Sequence, residues 1–559
     1  MSESKKRKRR PALHLPHLEN ENLICFFVFL GVVFSVLTRC VVVHRTGVQG
    51  SAYFFAAYEV LVFFMLFFPV GVSGTIREQF GQRFESGFYR NAKRIFNAAV
   101  VALFFYIVVV AVLWWQFSEG ISEFLLLGKT NSLPLMWLLP VFVVDVLTLL
   151  FRGFLDGESE ASAGNVVLAS SASGVVFLIR QAATFIFVLI FAGVFHEDGS
   201  NVSRLFRNEE VKYVYGAAGV AIGFLLGAIV GLVFYLLIYF KRLRVLQRQV
   251  DRDPNRRREN SNGILVTYAT TAACAYLGMY GIVFLAQIFA MHHYRAEGEL
   301  VQSYQWGIFE GICMTAITFP LLLIFFMHLR DAKQITRAIR RGDSHEVRIK
   351  CQSLTEVSMT LTFFLTAFHF AATNCITKGL YGIDSVMAVR MLRCSSITVL
   401  FLAYAFITSL QLLFMQQKPR VAMHSFTAMI VGAVCLWALI PEKRLGIYAI
   451  FVALVIFSVV LSALNLLFMN RRIRFRTDLI KHFVWPFVCS LIAGAVAFLL
   501  QLLFGLFLPA IVSAVLIFLI SFLVYFIVCC KTGLITEYSF YGIPLGEKLE
   551  RFGRMLRVL

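Results

Sequence analysis

Fourteen apolar runs of bilayer-spanning length follow one another along this 559-residue chain. They cover residues 22–43, 51–76, 96–117, 133–153, 163–194, 213–240, 263–291, 303–329, 355–377, 394–416, 422–440, 445–469, 482–504 and 507–530. A helix rises about 1.5 Å per residue, so roughly 20 residues cross a hydrocarbon core about 30 Å thick. Hydrocarbon offers no partner to backbone polar groups, and segments this long satisfy their own only as helices. The predicted fold class is therefore all-α, a polytopic integral membrane protein of about 14 transmembrane helices. Runs 163–194 and 213–240 exceed a minimal span and are expected to tilt or to extend beyond the bilayer. The chain is 59% hydrophobic and 15% charged, with a mean hydropathy of +0.76. Soluble domains are roughly 45–50% apolar and about 25% charged, so a disordered, collagenous, disulfide-scaffold or soluble-enzyme reading is excluded. The 11 cysteines form no CxxC motif and lie mostly inside apolar runs, where they read as small buried hydrophobes. Cys529 and Cys530, ending the last run, are candidates for acylation. The first run is about 20 residues long and lacks a cleavage pattern after the basic Lys5–Arg10 cluster, so it reads as a retained helix.

The net charge of +20 is distributed by topology. With the fourteen runs removed and Arg152, at the end of the fourth, counted with the connection it adjoins, the N-terminus, the even-numbered connections and the tail hold 39 Lys and Arg, and the odd-numbered connections hold 11. Cytoplasmic loops retain basic residues, so the split predicts both termini in the cytoplasm and an even helix count. Anionic headgroups are a secondary partner for that basic side, and nucleic acid is not implied. Only Arg39 and Arg180 fall within helices in this accounting.

An internal repeat divides the runs. Tyr53 precedes Glu59 by six residues and Glu59 precedes Pro69 by ten; Tyr304, Glu310 and Pro320 repeat both spacings. Basic polar segments follow each copy, Arg77 to Arg94 and Arg330 to Arg348. Tyr215-Gly-Ala-Ala-Gly219 in the sixth run corresponds to Leu445-Gly-Ile-Tyr-Ala-Ile450 in the twelfth. Six helices per unit is even, so both copies insert with one orientation, a parallel repeat about an axis along the membrane normal. The expected organisation is a basic N-terminus (1–20), an N-terminal six-helix lobe (21–241), a linker (242–262), a C-terminal six-helix lobe (263–476), two additional helices (477–530) and a tail (531–559). Two equivalent bundles around a central space can rock for alternating access, which points to a transporter.

Several stretches resemble the multidrug/oligosaccharidyl-lipid/polysaccharide (MOP) exporter superfamily, and within it the polysaccharide flippases of the stage V sporulation protein B group, relatives of the lipid II flippase. They are Gly47-Val-Gln-Gly-Ser-Ala-Tyr53 leading through Pro69 to Ser73-Gly-Thr-Ile-Arg77, Asn91-Ala-Lys-Arg-Ile-Phe96, Phe151-Arg-Gly-Phe-Leu-Asp-Gly157, Tyr215-Gly-Ala-Ala-Gly219 and Thr532-Gly-Leu-Ile-Thr-Glu537. The resemblance spans nearly the whole chain. It departs where Ala161-Ser-Ala-Gly164 replaces the group's usual proline, and upstream of Arg180, where the group's acidic residue is missing. The resemblance implies export of an undecaprenyl-pyrophosphate-linked saccharide, either a polysaccharide repeat unit or a peptidoglycan precursor, across the bacterial plasma membrane. It also implies an arginine at the position of Arg180.

Such a substrate carries a pyrophosphate-sugar head that must cross without meeting hydrocarbon. Arginine suits this task, since its planar fork is always charged and grips phosphate bidentately. Charges inside helices usually face a cavity or a partner, so each is a candidate. Arg180, near the middle of the fifth run, and Arg39, near the outer end of the first, are candidate substrate-binding groups. For Arg39, snorkelling to the interface is the alternative. Arg77, Arg152 and Arg330, where helices reach the basic side, are candidate receivers of the head group or positive-inside anchors. Glu59, Glu310 and Asp145 are candidate coupling or cavity acids, through H+, Na+ or the membrane potential, with pairing to Arg39 or Arg180 as the alternative. His369, near Asn374, reads as a satisfied core histidine. No cofactor, metal or catalytic residue is expected, and the protein is expected to work as a monomer. The Asn201 sequon is set aside as a pattern match only.

A MATE-type cation or drug antiporter is the alternative in the same fold. It would hold acids in the first and seventh runs, where this chain has Arg39 and no charge before Tyr294. A membrane glycosyltransferase or polymerase is the third reading. It would need a long external loop with catalytic acids, and the connection at 195–212 has His196, Glu197 and Asp198 but no carboxylate constellation with further support.

Overall fold

The computed structural model describes residues 16–125, 128–161, 166–254, 259–293, 299–441, 445–535 and 546–555. The side chains of 16–25, 130, 159–161, 166–172, 299–300, 326–331, 333 and 547 lie outside that description. The described residues are helical with no strand. Thirteen helical stretches are long and apolar enough to cross a membrane, and the first, Phe26–Glu85, contains two of the predicted spans, so all fourteen runs have a helical counterpart.

The first two runs belong to one helix, α1 (Pro16–Phe67), interrupted at Gly47, whose φ of 74° and ψ of 175° lie outside the helical region. Only glycine occupies that backbone region without strain, so a single residue turns the chain where a loop was expected. A second break falls at Phe68, ahead of Pro69, which opens α2 (Pro69–Thr75). Proline donates no N–H and its ring crowds the carbonyl four residues earlier, which explains the interruption. A π-turn, Ile76–Phe80, and α3 (Gly81–Glu85) complete this segment. Pro320 has a different effect: it sits inside α10 (Met314–Arg341) without ending it. In that copy the irregularity moves upstream, to a π-turn at Ile308–Cys313 between α9 (Glu299–Gly307) and α10.

The third to seventh spans are α4 (Tyr89–Leu125), α5 (Ser132–Ala161), α6 (Val166–Phe206), α7 (Glu210–Arg252) and α8 (Ser261–His293). All five extend past their predicted runs, α6 and α7 furthest at their C-terminal ends. Helix α6 carries His196, Glu197 and Asp198, expected in a loop, and α7 extends through the first part of the expected linker. After α10 come α11 (Ser344–Ala371), α12 (Thr373–Tyr381), α13 (Val386–Phe414), α14 (Lys418–Leu439) and α15 (Tyr448–Ile473). Two further spans, α16 (Trp485–Phe507) and α17 (Ala510–Lys531), pack on α11 and α12, and a short α18 (Gly546–Met555) follows. Cys529 and Cys530, candidates for acylation, are buried.

The packing repeats as the sequence does. Helix α6 packs on α7 and on α1, and α14 packs on α15 and on α8. Helix α5 packs on α4 and α7; α13 packs on α11 and α15. Between the two sets, α1 meets α9 and the π-turn at Glu310, while α2 meets α8. The first span thus meets the eighth and the second meets the seventh, the exchange that a two-fold relation produces. Outside, a belt of Phe104, Phe105, Val109, Val112 and Trp115 on α4 is exposed, as befits a surface facing lipid tails.

Candidate functional site

Glycine spacing sets the depth at which the charged side chains meet. Gly219, Gly223, Gly227 and Gly231 recur every fourth residue of α7 and form one smooth face against α6. Small residues let helix backbones approach closely in a membrane, where burial of apolar surface supplies no driving force. A Cβ on Gly223 would come within 2.8 Å of the Val188 backbone, and one on Gly231 within 3.1 Å of Arg180 Cδ. The aliphatic stem of Arg180 therefore lies in the last notch of this face. Its guanidinium reaches α5, where Nη2 stands 2.8 Å from Asp145 Oδ1 and 3.0 Å from Oδ2. The Asp145 side chain is 10% exposed and that of Arg180 26%, so the pair is largely withdrawn from solvent.

A second charged group lies at the crossing of the first, second, seventh and eighth spans. Arg39, in the arm of α1 before Gly47, lies with its guanidinium carbon 4.7 Å from the centre of the Phe55 ring and donates from Nη1 to the Glu310 carbonyl at 3.2 Å. It thus points inward, toward the eighth span, rather than out to the interface. Glu59, in the arm after Gly47, accepts the Tyr280 hydroxyl of α8 at 2.7 Å on one oxygen and 2.9 Å on the other. Nearby, Gln287 of α8 donates to the carbonyls of Ala56 and Leu125, both at 3.0 Å. Glu310 is fully buried in its π-turn, and neither carboxylate oxygen has a hydrogen-bond partner among the described residues. Glu59, Glu310 and Arg39 are electrostatic neighbours. Tyr58 connects the two groups, since Asp145, Arg180, Arg39 and Glu59 all act on it.

The fold therefore brings Arg39, Glu59 and Glu310 into one group and Asp145 and Arg180 into its neighbour. Arg77 and Arg152 stand apart and exposed at the basic end. There Arg152 faces Asp156 at 3.5 Å, and Ser173 donates to Asp156 at 2.5 Å. The Arg330 side chain lies outside the described residues. His369 is half-buried beside Phe368 at 5.8 Å between ring centres, away from both groups, and its Nδ1 has no hydrogen-bond partner among the described residues.

Sequence reasoning missed Tyr58, Tyr280 and Gln287, single polar residues in apolar runs that no spacing marks out. The glycine run on α7 was legible and foretells the α6–α7 contact. Also missed was a polar network in the second half. There His424 Nδ1 meets Asn465 Oδ1 at 2.9 Å, and Asn465 Nδ2 donates to Ser409 at 2.9 Å and Thr408 at 3.2 Å. It joins α13, α14 and α15, the counterparts of α5, α6 and α7, so a network without a carboxylate stands where the first half has an ion pair. Among the described residues no cluster of three or more His, Cys, Asp or Glu is placed to hold a metal.

No family model and no curated protein sequence matches the chain. Solved structures do. An inward-facing MATE-family multidrug resistance transporter of the MOP superfamily aligns with a TM-score of 0.59 at 13% identity, over 81% of this chain and 98% of its own. The lipid II flippase MurJ in an inward closed conformation aligns with a TM-score of 0.57 at 13% identity, over 90% of this chain and 98% of its own. A MOP superfamily transporter from Pyrococcus furiosus, described as having a binding pocket of reversed polarity, gives 0.55 at 13% identity, over 82% and 95%. This multi-pass membrane protein has the fold of the MOP superfamily transporters.

Proposed function

We propose that the protein is a flippase that moves an undecaprenyl-pyrophosphate-linked saccharide across the bacterial plasma membrane by alternating access of its two six-helix halves. It acts without enzymatic chemistry, as a monomer, with both termini in the cytoplasm. The observation that carries the reading is the placing of Arg39: the first span presents a guanidinium, with no acid of its own, at the crossing of the halves. A pyrophosphate head finds there the charge-assisted donor it requires. Arg180 is the second cavity arginine, shared with Asp145 until the head group competes for it. Arg77, Arg152 and Arg330 receive the incoming head group at the basic end. The structural likeness supports a MOP-type transporter without separating the two readings, since the MATE-family transporter and the lipid II flippase align about equally well, with TM-scores of 0.59 and 0.57.

Depletion of the protein in its host, followed by assay of undecaprenyl-linked intermediates by leaflet and head group, tests the reading. Inward-facing accumulation of a disaccharide-pentapeptide lipid identifies a peptidoglycan precursor as the cargo. Accumulation of another oligosaccharide lipid identifies a polysaccharide unit. No accumulation, with raised sensitivity to cationic drugs, refutes the flippase reading in favour of an antiporter.

A further inference from the structure

We propose that Glu59 and Glu310 together form a proton-binding site that holds one transferable proton on Glu310 while the two halves are in contact. The inference rests on the transporter reading above and narrows its coupling ion to H+. Both carboxyls are taken out of solvent, Glu59 being 1% exposed and Glu310 0%. Their surroundings differ. The Tyr280 hydroxyl donates between the two oxygens of Glu59, at 2.7 and 2.9 Å, an arrangement suited to an ionised, acceptor-only carboxylate. Glu310 has no hydrogen bond to either oxygen among the described residues, and Arg39 contacts its backbone carbonyl instead.

Charge counting then decides. Two carboxyls share one guanidinium, and a second buried carboxylate without its own counter-ion takes up a proton rather than remain charged in a low-dielectric interior. Among the described residues the other groups that face the pair add no positive charge. They are Tyr280 from α8, Cys313 within the π-turn, and Tyr58 and Cys40 on α1; beyond them lie Cys394 on α13 and Tyr381 on α12. The next charges, Asp145 and Arg180, already neutralise each other. Sodium fits the site poorly, because a hard cation wants a shell of oxygen ligands and here would stand beside a guanidinium.

The geometry also ties proton release to movement. Arg39 and Glu59 belong to the first half, and Glu310 and Tyr280 to the second, so both contacts span the interface. When the halves part, water reaches Glu310, its O–H bond breaks and the proton leaves to solvent. One proton is bound and one released per cycle.

Infrared spectroscopy of the full-length protein in nanodiscs of phosphatidylcholine and phosphatidylglycerol, without saccharide, tests this directly. At neutral pH the wild type is expected to show the carbonyl stretch of one protonated carboxylic acid, lost on raising the pH. Glu310→Gln should remove the band. Glu59→Gln should keep it but move its titration to lower pH, because Glu310 then has Arg39 to itself. A wild type with no protonated-acid band at neutral pH overturns the proposal without recourse to any variant. So does a band that survives Glu310→Gln, or one that follows sodium concentration at fixed pH. No cargo enters the assay, so the outcome is independent of the saccharide reading. Depletion can show accumulated saccharide lipid while the band is absent, or the band can be present without accumulation.

Discussion

Arg180 and Asp145 show what a charge inside a membrane helix requires of its neighbours. The sequence marked both residues as costly, and each could have faced a cavity alone. The fold instead sets them 2.8 Å apart, with the arginine stem resting on Gly231. Removing one partner leaves the other charge buried and uncompensated, at about 3–5 kcal/mol, whereas removing both forfeits far less. Asp145→Ala should therefore lower thermal stability in detergent more than the double change Asp145→Ala with Arg180→Ala, and an additive pair of effects would refute the coupling. Arg180→Ala combined with Asp145→Ala, which strands no charge, is expected to abolish export while leaving membrane insertion and abundance intact. Full export by a well-expressed variant would remove Arg180 from the cargo path. Glu59 and Glu310 were legible as equivalent positions from their shared spacing to tyrosine and proline. Their differing surroundings were not, because Tyr280 comes from a helix 221 residues away in sequence.

At the scale of elements, glycines decide where helices bend and how closely they pack. Gly47 holds a φ of 74° with only Tyr213 near its missing Cβ, at 3.9 Å, so the constraint there is backbone conformation alone. Gly47→Ala should cost about 1–3 kcal/mol of stability through strain, read as a lower unfolding temperature in detergent. The α7 face is constrained by space instead. Gly227→Leu would collide with the Thr184 backbone at 2.8 Å and should prevent stable folding. The three atoms nearest a Cβ on Gly231 all belong to the flexible Arg180 stem, so Gly231→Leu should impair export at a smaller loss of stability than Gly227→Leu. Equal stability losses in the two variants would contradict the idea that the glycine run positions Arg180. Apolar length located every span, since hydropathy is additive along a helix. It misplaced the ends of α6 and α7 because helices continue past the bilayer wherever polar residues keep helical geometry.

At the scale of the whole molecule, contacts between the halves set the conformational balance. At the basic end Lys418, opening α14, pairs with Glu78 in the π-turn after α2, and their side chains are 21% and 19% exposed. Toward the other end Gly307 lies against the Val48 carbonyl, so the eighth span presses on the first beside its bend. A partly exposed ion pair contributes up to about 1 kcal/mol, a factor of about five in an opening equilibrium. Lys418→Ala should therefore raise hydrogen–deuterium exchange in residues 76–85 and 418–424 while leaving the α6–α7 contact protected. Unchanged exchange would show that the pair does not restrain opening.

The sequence by itself determined that the chain is a helical membrane protein with about fourteen spans, that a tyrosine–glutamate–proline spacing recurs along it, and which side chains are too costly to be incidental. These properties are local: hydropathy, spacing and loop charge are read within one segment and survive whatever the segments later pack against. Tertiary structure decided which charges are neutralised and which are left over. Asp145 acquired Arg180, Glu59 acquired Tyr280, and Glu310 was buried with no hydrogen bond to its carboxylate among the described residues. That outcome depends on distances of a few ångströms between helices far apart in sequence. Electrostatic energy changes steeply over such distances in a low-dielectric interior, and no pattern along the chain encodes them.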